Sequence, residues 1–278
     1  MNAMVGERMS IITNKPQTTR HRIIGILSGD EFQIVFSDTP GFIEDPNYSM
    51  QHKMNRFVHS TFEDADLMLF VTEVTESYDQ DDLLFSRLAK VKVPIFLVLN
   101  KIDTCTDEVL EQKKAEWAVL LPNAKIIPIA ALHHTNTQAL LEAIQEALPD
   151  GPAYYPKDQL TDRPERFFVS EIIREKILEQ YHQEIPYSVE IIVDYFKEGT
   201  NREGEPITRI GATIYVARKT QKPIIIGRKG EAIKKLGIES RKSIQTFLDT
   251  NVFLELHVKI RENWRDDERM LKHFGYNS

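Results

Sequence analysis

The sequence predicts an α/β domain followed by a smaller α+β domain, and three observations support this division. The chain has 278 residues, enough for two separate hydrophobic cores. Short apolar runs alternate with helical patterns over residues 1–150, which is typical of a mostly parallel sheet covered by helices. Residues 149–166 contain four prolines and little apolar periodicity. We therefore expect a linker at 151–165 and the second domain at 166–278.

The strands and helices of the first domain follow from local apolar periodicity. Residues 22–27 and 32–36 flank the turn-forming stretch SGDE and predict two strands joined as a hairpin. Three further runs are short, apolar and typical of buried parallel strands, at residues 67–71, 94–99 and 125–129. The stretches between them have helical periodicity, and we expect helices at residues 50–62, 80–90, 107–120 and 137–148.

The second domain is expected to have fewer strands, arranged mainly antiparallel. A basic loop should separate the second strand from the following helix. The predicted elements, in chain order, are a helix at 168–182, strands at 187–195 and 208–217, a helix near 239–248 and a strand at 252–260.

Composition favours a protein without membrane-spanning segments and divides the charge unevenly. The longest apolar runs, such as VPIFLVL at 93–99, are too short to cross a bilayer. The single cysteine permits no intrachain disulfide and fits a reducing compartment. Residues 1–150 carry 13 Lys and Arg against 22 Asp and Glu, whereas residues 218–242 carry nine basic residues against two acidic ones. We expect different ligands for the acidic first domain and the basic patch.

Three polar motifs follow directly after predicted strands of the first domain, where open α/β sheets bind ligands. They are SDTPGF at residues 37–42, LNKID at 99–103 and PIAAL at 128–132. D-T-P-G alone is also a common turn sequence, but these motifs in this order favour a guanine-nucleotide site. The residues that we assign to GTP binding are Asp38, Thr39, Pro40, Gly41, Phe42, Asn100, Lys101, Ile102, Asp103, Ala130, Ala131 and Leu132.

The base-binding positions of this site have distinct chemical roles. The Asp103 carboxylate can accept two hydrogen bonds, from N1–H and from the exocyclic amino group of guanine. Adenine presents a different pattern, so this carboxylate selects the base. Asn100 and the aliphatic stem of Lys101 would brace the base and the neighbouring loops. The backbone N–H of Ala131 can donate to the guanine O6.

The phosphate end of the site needs a metal ligand and amide donors. Asp38 can hold Mg²⁺ through water, and the backbone amide of Gly41 can donate to the terminal phosphate. The segment KPQTTRHR at 15–22 is expected to supply a second metal ligand, from the hydroxyl of either Thr18 or Thr19; an ordinary solvated basic loop is the alternative. The residues assigned to this first switch segment are Gln17, Thr18, Thr19, Arg20 and His21.

The segment IIIGRKGEAIKKLG at residues 224–237 contains the G-x-x-G pattern of KH domains. Its two glycines allow a tight turn close to a sugar-phosphate chain. G-x-x-G alone also occurs in ordinary turns, but the local charge and the following helix favour RNA binding. The assigned RNA-binding residues are Gly227, Arg228, Lys229, Gly230, Lys234 and Lys235. The apolar residues expected to line the adjoining groove are Ile224, Ile225, Ile226, Ile233, Leu236 and Ile238.

These segments together resemble the Era family of bacterial GTPases. The matching stretches are NKPQTTRHRIIGI, DTPGF, NKID, YSVEI, TDRPERFFVSEIIREKI, IIIGRKGEAIKKLGIESRK and WRDDERMLKHFGY. The resemblance implies a Ras-like P-loop NTPase domain followed by a type II KH domain, with GTP and Mg²⁺ as cofactors. It also implies a monomeric, cytoplasmic GTPase that binds the 3′ end of 16S rRNA and supports maturation of the 30S subunit. Members of this family can associate peripherally with the inner membrane.

Two positions depart from the patterns of related GTPases. Small GTPases orient the attacking water with a Gln, whereas Phe42 occupies that place here, at the start of the expected second switch. The catalytic residue is therefore unknown, and we expect slow hydrolysis. Ala130 and Ala131 replace the usual Ser-Ala of the guanine loop, so a side-chain hydroxyl that rigidifies the loop is lost.

The sequence contains no phosphate loop of the form G-x-x-x-x-G-K-[ST]. The resemblance places this loop, and the first strand of the domain, just upstream of Met1. Met1, Met4 and Val5 lie on one helical face and Gly6 ends the pattern, so this stretch is expected to be the remnant of the phosphate-binding helix.

Two hypotheses follow from the missing loop. The first is that residues 1–278 are an N-terminally truncated GTPase, incomplete in its first domain and with negligible GTP binding. The alternative is a non-hydrolysing RNA-binding assembly protein. Loss of a central strand would leave unpaired backbone groups in the sheet, which disfavours this alternative.

Overall fold

The computed structural model describes residues 1–13, 15, 17–78 and 83–276. All five strands predicted for the first domain are present, and each lies within two residues of its predicted bounds. These strands are β1 (Ile23–Ser28), β2 (Gln33–Asp38), β3 (Met68–Glu73), β4 (Ile95–Asn100) and β5 (Lys125–Pro128).

The helices of the first domain also follow the predicted order. They are α1 (Asn2–Val5), α2 (Ser49–Asp64), α3 (Leu83–Leu88), α4 (Asp107–Leu120) and α5 (Thr137–Ala147). The helix α1 ends at Gly6, whose φ of 84° is the left-handed conformation expected of a terminating glycine. Residues 80–82, the beginning of the helix predicted at 80–90, lie outside the described residues.

The strands of the first domain form two separate sheets. β1 and β2 are an antiparallel hairpin, and β3, β4 and β5 form a parallel sheet in that order. Within the described part of the chain, β2 and β3 each have one edge without a strand partner. Side chains of β2, β4, β5, α1 and α5 nevertheless share one hydrophobic core, so the two sheets are held together by side-chain packing.

The predicted linker runs along the hairpin and forms ordered contacts with it. Ile26 donates its backbone N–H to Leu160 at 2.8 Å, and Gly25 forms an isolated antiparallel bridge with Thr161. The Gln33 amide nitrogen donates to the Tyr155 carbonyl at 2.9 Å. The bounds 1–150, 151–165 and 166–278 stay a prediction.

The second domain has the element order α–β–β–α–α–β–α. Its elements are α6 (Glu165–Gln180), β6 (Val189–Thr200), β7 (Pro206–Val216), α7 (Gln221–Ile226), α8 (Glu231–Leu248), β8 (Asn251–Ile260) and α9 (Glu268–His273). β6 pairs antiparallel with β7, and β7 pairs parallel with β8. The expectation of mainly antiparallel strands was therefore wrong for one of the two pairings.

The basic stretch predicted as a loop is largely helical. α8 begins at Glu231, whereas the predicted helix began near residue 239. Closely spaced lysines and three glycines hide the apolar periodicity of this stretch, yet Leu236, Ser240 and Ile244 form its buried face at helical spacing. The G-x-x-G residues thus form a turn between two helices.

The helices of the second domain cover one face of its sheet. Apolar residues of α6, α7 and α8 pack on alternate residues of the three strands. Phe168 of α6 reaches into the core of the first domain, so the two domains share apolar contacts. In the part of the chain that the structure describes, no helix is both long enough and apolar enough to cross a membrane.

Candidate nucleotide and RNA sites

The guanine-binding motifs meet at the carboxyl ends of β4 and β5. Asn100 is the last residue of β4, and its side-chain oxygen accepts the backbone N–H of Lys101 at 2.9 Å and of Ala131 at 3.0 Å. Ile102 donates its N–H to the Ile129 carbonyl at 3.2 Å. These bonds join the NKID loop to the AAL loop, as a site that holds a planar base between two loops requires.

The Asp103 carboxylate is accessible at this edge of the sheet. Its oxygen lies 3.5 Å from His133 Nε2, and both side chains are exposed to solvent. Lys101 forms an ion pair with Glu73, which fixes the lysine stem beside the loop. Leu132 is exposed as well. Among the described residues, the ion-pair contact of Asp103 is with the exposed His133, so the Asp103 carboxylate remains accessible to hydrogen-bond donors of a base.

Ala131 already uses its N–H group within the protein. The hydrogen bond from Ala131 to Asn100 occupies the donor that was assigned to the guanine O6. A bound guanine would have to take this donor from the Asn100 side chain.

The Asp38 carboxylate ends β2 and is held by a hydroxyl from the N-terminal segment. Ser10 Oγ donates to Asp38 Oδ2 at 2.5 Å. Asn2 orders this segment, because its side-chain oxygen accepts the N–H groups of Met9 and Ser10, both at 2.9 Å. Burial raises the pKa of Asp38, and the Ser10 hydroxyl opposes that shift. Ser10 was not assigned from the sequence, because a lone polar residue beside apolar ones does not indicate a contact with Asp38.

The residues after Asp38 leave open space near the expected terminal phosphate. A side chain at Gly41 would meet no atom within 4 Å. Thr39 is half-buried and Pro40 is buried. The Phe42 ring is covered by the Arg87 guanidinium, 4.4 Å from its centroid, so it is packed against α3.

The G-x-x-G turn has backbone angles that require glycine at its first position. Gly227 has a φ of 74°, and a Cβ atom there would lie 2.5 Å from the Ala232 Cβ. Gly230 has a φ of 79° but open space around it. Lys229 between them also has a positive φ, of 50°. The loop is therefore a fixed turn whose outer surface is open.

The four cations assigned to RNA binding surround this turn and are exposed, namely Arg228, Lys229, Lys234 and Lys235. The apolar assignment needs correction. Ile225 and Leu236 are fully buried in the core, so neither is available to a base. Ile226 and Ile233 are partly buried against that core. Ile224 and Ile238 remain exposed, because in a helix only one face can turn inward.

Comparison with known proteins agrees with this pair of sites. A family model described as "50S ribosome-binding GTPase" matches residues 1–101, and a KH domain model matches residues 184–265. GTPase Era of Geotalea daltonii is 41% identical over 99% of this chain and 92% of its own length. GTPase Era of Syntrophus aciditrophicus is 43% identical over 100% of this chain and 90% of its own length. The chain belongs to the Era GTPase family.

Solved Era structures match the whole fold. An Aquifex aeolicus Era variant bound to GDP.AlF4⁻ is 33% identical, with a TM-score of 0.93 over 100% of this chain and 93% of that one. Era in complex with MgGDPNP and nucleotides 1506–1542 of 16S ribosomal RNA is 32% identical, with the same TM-score and coverage. The predicted Ras-like GTPase domain followed by a KH domain is thus confirmed.

The first switch segment of this Era-family chain is attached to the KH domain. Arg20 is 3% exposed and donates to the carbonyls of Val189 at 2.6 Å and Pro186 at 3.0 Å. It also donates to the Glu190 carboxylate at 3.2 Å, which accepts the Tyr276 hydroxyl at 2.7 Å. The Arg20 side chain therefore binds the second domain and is not available to a nucleotide. Thr18 and Thr19 are half-buried, and Gln17 is exposed.

His21 lies in the same interface, packed among aromatic rings. Its ring centroid is 4.5 Å from that of Tyr276, and it also contacts Phe57 and Phe167. Its Nδ1 atom is buried without a hydrogen-bond partner. Burial lowers the pKa of His21 to about 4, although nearby carboxylates such as Glu190 oppose the shift. Like Arg20, His21 belongs to the segment assigned as the first switch and lies at the contact between the two domains.

The buried His21 makes stability depend on pH. Its folded-state pKa lies below its ordinary value of 6.5, so the unfolded chain takes up the proton first as pH falls. The contribution of the neutral His21 to the free energy of unfolding is therefore present above pH 6.5 and is lost as the pH falls toward 4. We expect the wild-type chain to lose about 2 kcal/mol more than His21→Phe between pH 7 and 4.5, measured by urea unfolding. Parallel pH profiles for the two chains would contradict this expectation.

The segment from Phe42 to about Met54, expected to be the second switch, also contacts the C-terminal segment of the KH domain. Lys53 of α2 forms an ion pair with Glu268 at 3.1 Å, and Ser49 donates its N–H to Asp266 at 2.9 Å. Met50 and Met54 pack in one apolar cluster with C-terminal residues such as Trp264. Both switch regions thus touch the KH domain. These contacts were not predicted from the sequence, where the residues that form them look like ordinary polar residues between apolar ones.

Proposed function

We propose that this Era-family chain is the GTP-binding and RNA-binding body of a ribosome assembly factor that binds the 3′ end of 16S rRNA and supports 30S maturation. One observation carries the proposal: the same chain presents a base-selective carboxylate, Asp103, and an exposed cationic G-x-x-G turn. Solved Era relatives bind a guanine nucleotide and a 16S rRNA segment.

In this proposal four groups of the first domain hold the guanine base. Asp103 accepts two hydrogen bonds from the base edge, and an adenine amino group would offer it no such pair. Asn100 orders the first loop through the Lys101 N–H and, before guanine binds, the second loop through the Ala131 N–H. Ala131 exchanges its bond to Asn100 for one to the guanine O6. The aliphatic part of Lys101 covers one face of the base.

The phosphate end fits Mg²⁺ chemistry through oxygen donors. Bound Mg²⁺ neutralises charge on the nucleotide phosphates. Asp38 is suited to hold a water of the metal shell because Ser10 already orients its carboxylate. Thr18 or Thr19 would add a hydroxyl ligand, and Gly41 an amide donor to the terminal phosphate. Phe42 cannot orient water by a hydrogen bond, so slow hydrolysis is expected.

In the KH domain the turn and its cations would clamp the RNA backbone. Gly227 and Gly230 keep side chains away from the sugar-phosphate chain. The four surrounding cations provide the charge. Ile224 and Ile238 are the exposed apolar side chains nearest to this turn in sequence, and they can contact unstacked bases.

The proposal is tested by the salt dependence of RNA binding. The probe is a fluorescent RNA with the sequence of nucleotides 1506–1542 of 16S rRNA, followed by anisotropy between about 50 and 200 mM KCl. Each phosphate contact contributes a slope of about −0.7 in a plot of log K against log salt for single strands. Replacing both Lys229 and Lys234 with Gln should reduce the slope by about 1.4 units.

The control is Lys114→Gln, a half-buried lysine of α4 in the first domain, which should leave the slope unchanged. A wild-type chain that does not bind this RNA would refute the proposed function. An unchanged slope in the double variant would refute the assignment of these cations.

A further inference from the structure

The sheet of the KH domain has a second face that is open to solvent at one end. Even-numbered residues of β8, such as Val252 and Val258, pack in the core under the helices. The odd-numbered residues of β8 point to the opposite face and are exposed. Toward the end of β7 this face is covered by the C-terminal segment, which packs on Tyr215. Its other end, around Phe253, is uncovered.

An aromatic residue and two cations form a row across this open end. Arg209 of β7 pairs with Phe253 of β8 on one side and with Lys197 of β6 on the other. Directly opposed side chains in adjacent strands lie about 5 Å apart at Cβ. Phe253 is 48% exposed, so its ring is accessible from solvent between these cations. Among the described residues, neither Lys197 nor Arg209 has an ion-pair partner.

The next row adds a second ring and a carboxylate, with a further carboxylate beside it. The Tyr195 ring lies against Gly211, where a Cβ atom would come within 2.2 Å of it. Its hydroxyl bonds to Glu255, and Asp194 accepts the Thr213 hydroxyl at 2.6 Å. Both carboxylates accept hydrogen bonds from neutral hydroxyls and keep their negative charge, one row away from Phe253. The outer sheet face, as we call it, comprises Tyr195, Lys197, Arg209, Phe253, Glu255, His257 and Lys259.

The strand β8 links this face to the G-x-x-G turn. It forms the edge of its sheet, and α8 runs back along it, so that a Cβ atom at Gly237 of α8 would lie 3.7 Å from Leu256 Cδ1. The turn lies at the beginning of α8. Phe253 is near the beginning of β8 and therefore lies at the end of this helix–strand pair that is farther from the turn. Ten residues of strand span about 33 Å. An RNA longer than the four nucleotides that a KH turn clamps can therefore reach Phe253.

We propose that the outer sheet face is a second single-stranded RNA contact, which stacks a base on Phe253 and binds phosphates through Lys197 and Arg209. An exposed aromatic beside unpaired cations is the arrangement by which proteins bind single strands. The inference rests on the proposed RNA-binding function. Charge complementarity favours this occupant over an apolar protein surface, because the row has two cations for one ring.

The test compares RNAs of two lengths from the 3′ end of 16S rRNA. One has about five nucleotides, enough for the G-x-x-G clamp, and the other has about fourteen. With Phe253→Ser we expect about tenfold weaker binding of the longer RNA, within the range for one stacked base, and no change for the shorter one. Fluorescence anisotropy gives both affinities, and circular dichroism verifies that the variant is folded. Arg209→Gln should reduce the salt slope by about 0.7 for the longer RNA only.

The control is Val119→Ser, which removes an apolar side chain of α4 that is more exposed than Phe253 and should affect neither RNA. Unchanged binding of the longer RNA by Phe253→Ser would overturn the proposal and leave this face to a protein partner. Equal loss for both RNAs would also overturn it, since the G-x-x-G groove would then be disturbed. If the wild-type chain binds neither RNA, the proposed function itself fails.

Discussion

Replacing Gly230 with Asp is expected to abolish RNA binding, with at least a hundredfold loss of affinity. Gly230 has a φ of 79°, a conformation that costs an ordinary L-residue about 1 kcal/mol. No atom lies within 4 Å of its Cβ position, so the new side chain fits without a clash. It would place a carboxylate next to Arg228 and Lys229, where the phosphates are expected. Titration of the 16S rRNA fragment by fluorescence anisotropy measures this loss.

The control for this variant is Gly204→Asp. Gly204 lies in the β6–β7 turn, has a φ of 82° and has the same open space around it. It therefore experiences the same backbone strain and the same added charge, but away from the G-x-x-G turn. We expect normal RNA affinity in Gly204→Asp. If Gly230→Asp retained wild-type affinity, or if both variants lost it equally, the turn would not be the RNA clamp.

Much of the fold could be predicted because its signals are local. Each strand of the first domain is a short apolar run, and each motif follows its strand by a residue or two, so periodicity places the sheet edge and the site together. Asn100 and Asp103 illustrate this, since their position is set by the end of β4. The glycines at positions 227 and 230 likewise indicate a tight turn with positive φ angles, because glycine adopts such angles without steric cost.

The contacts between domains could not be predicted, because they join residues far apart in the sequence. Arg20 and Glu190 are separated by 170 positions, and neither stands out from its neighbours as a buried group. The motif KPQTTRHR placed Arg20 and His21 in the expected first switch segment but gave no sign that both are buried against the KH domain. Similarly, Ser10 reaches Asp38 only because Asn2 folds the segment back.

Replacing Arg20 with Met is expected to destabilise the attachment of the two domains by about 3–5 kcal/mol. The Met side chain fills similar volume but cannot donate to Pro186, Val189 or Glu190. Glu190 is 5% exposed, so its carboxylate would stay buried after the substitution. Its remaining hydrogen-bond donors among the described residues would be the Tyr276 hydroxyl and the adjacent backbone N–H. Removing one partner of a buried pair costs more than the pair contributes, since the remaining charge is not compensated.

The measurement is urea unfolding followed by two probes, circular dichroism and the fluorescence of Trp264, which is buried at the interface of α2 with the C-terminal segment. We expect Arg20→Met to lower the midpoint in both probes. The control is Arg22→Met, which removes an ion pair to the largely exposed Asp64 and should cost no more than about 1 kcal/mol.

A double variant separates the buried charge from simple loss of contacts. In Arg20→Met with Glu190→Gln, the amide oxygen of Gln can still accept the Tyr276 hydroxyl, and no uncompensated charge remains. We therefore expect the double variant to be more stable than Arg20→Met alone by about 1–2 kcal/mol. If the two substitutions were additive instead, the Arg20–Glu190 pair would not hold the switch segment to the KH domain. The carbonyl contacts of Arg20 would then account for the whole effect.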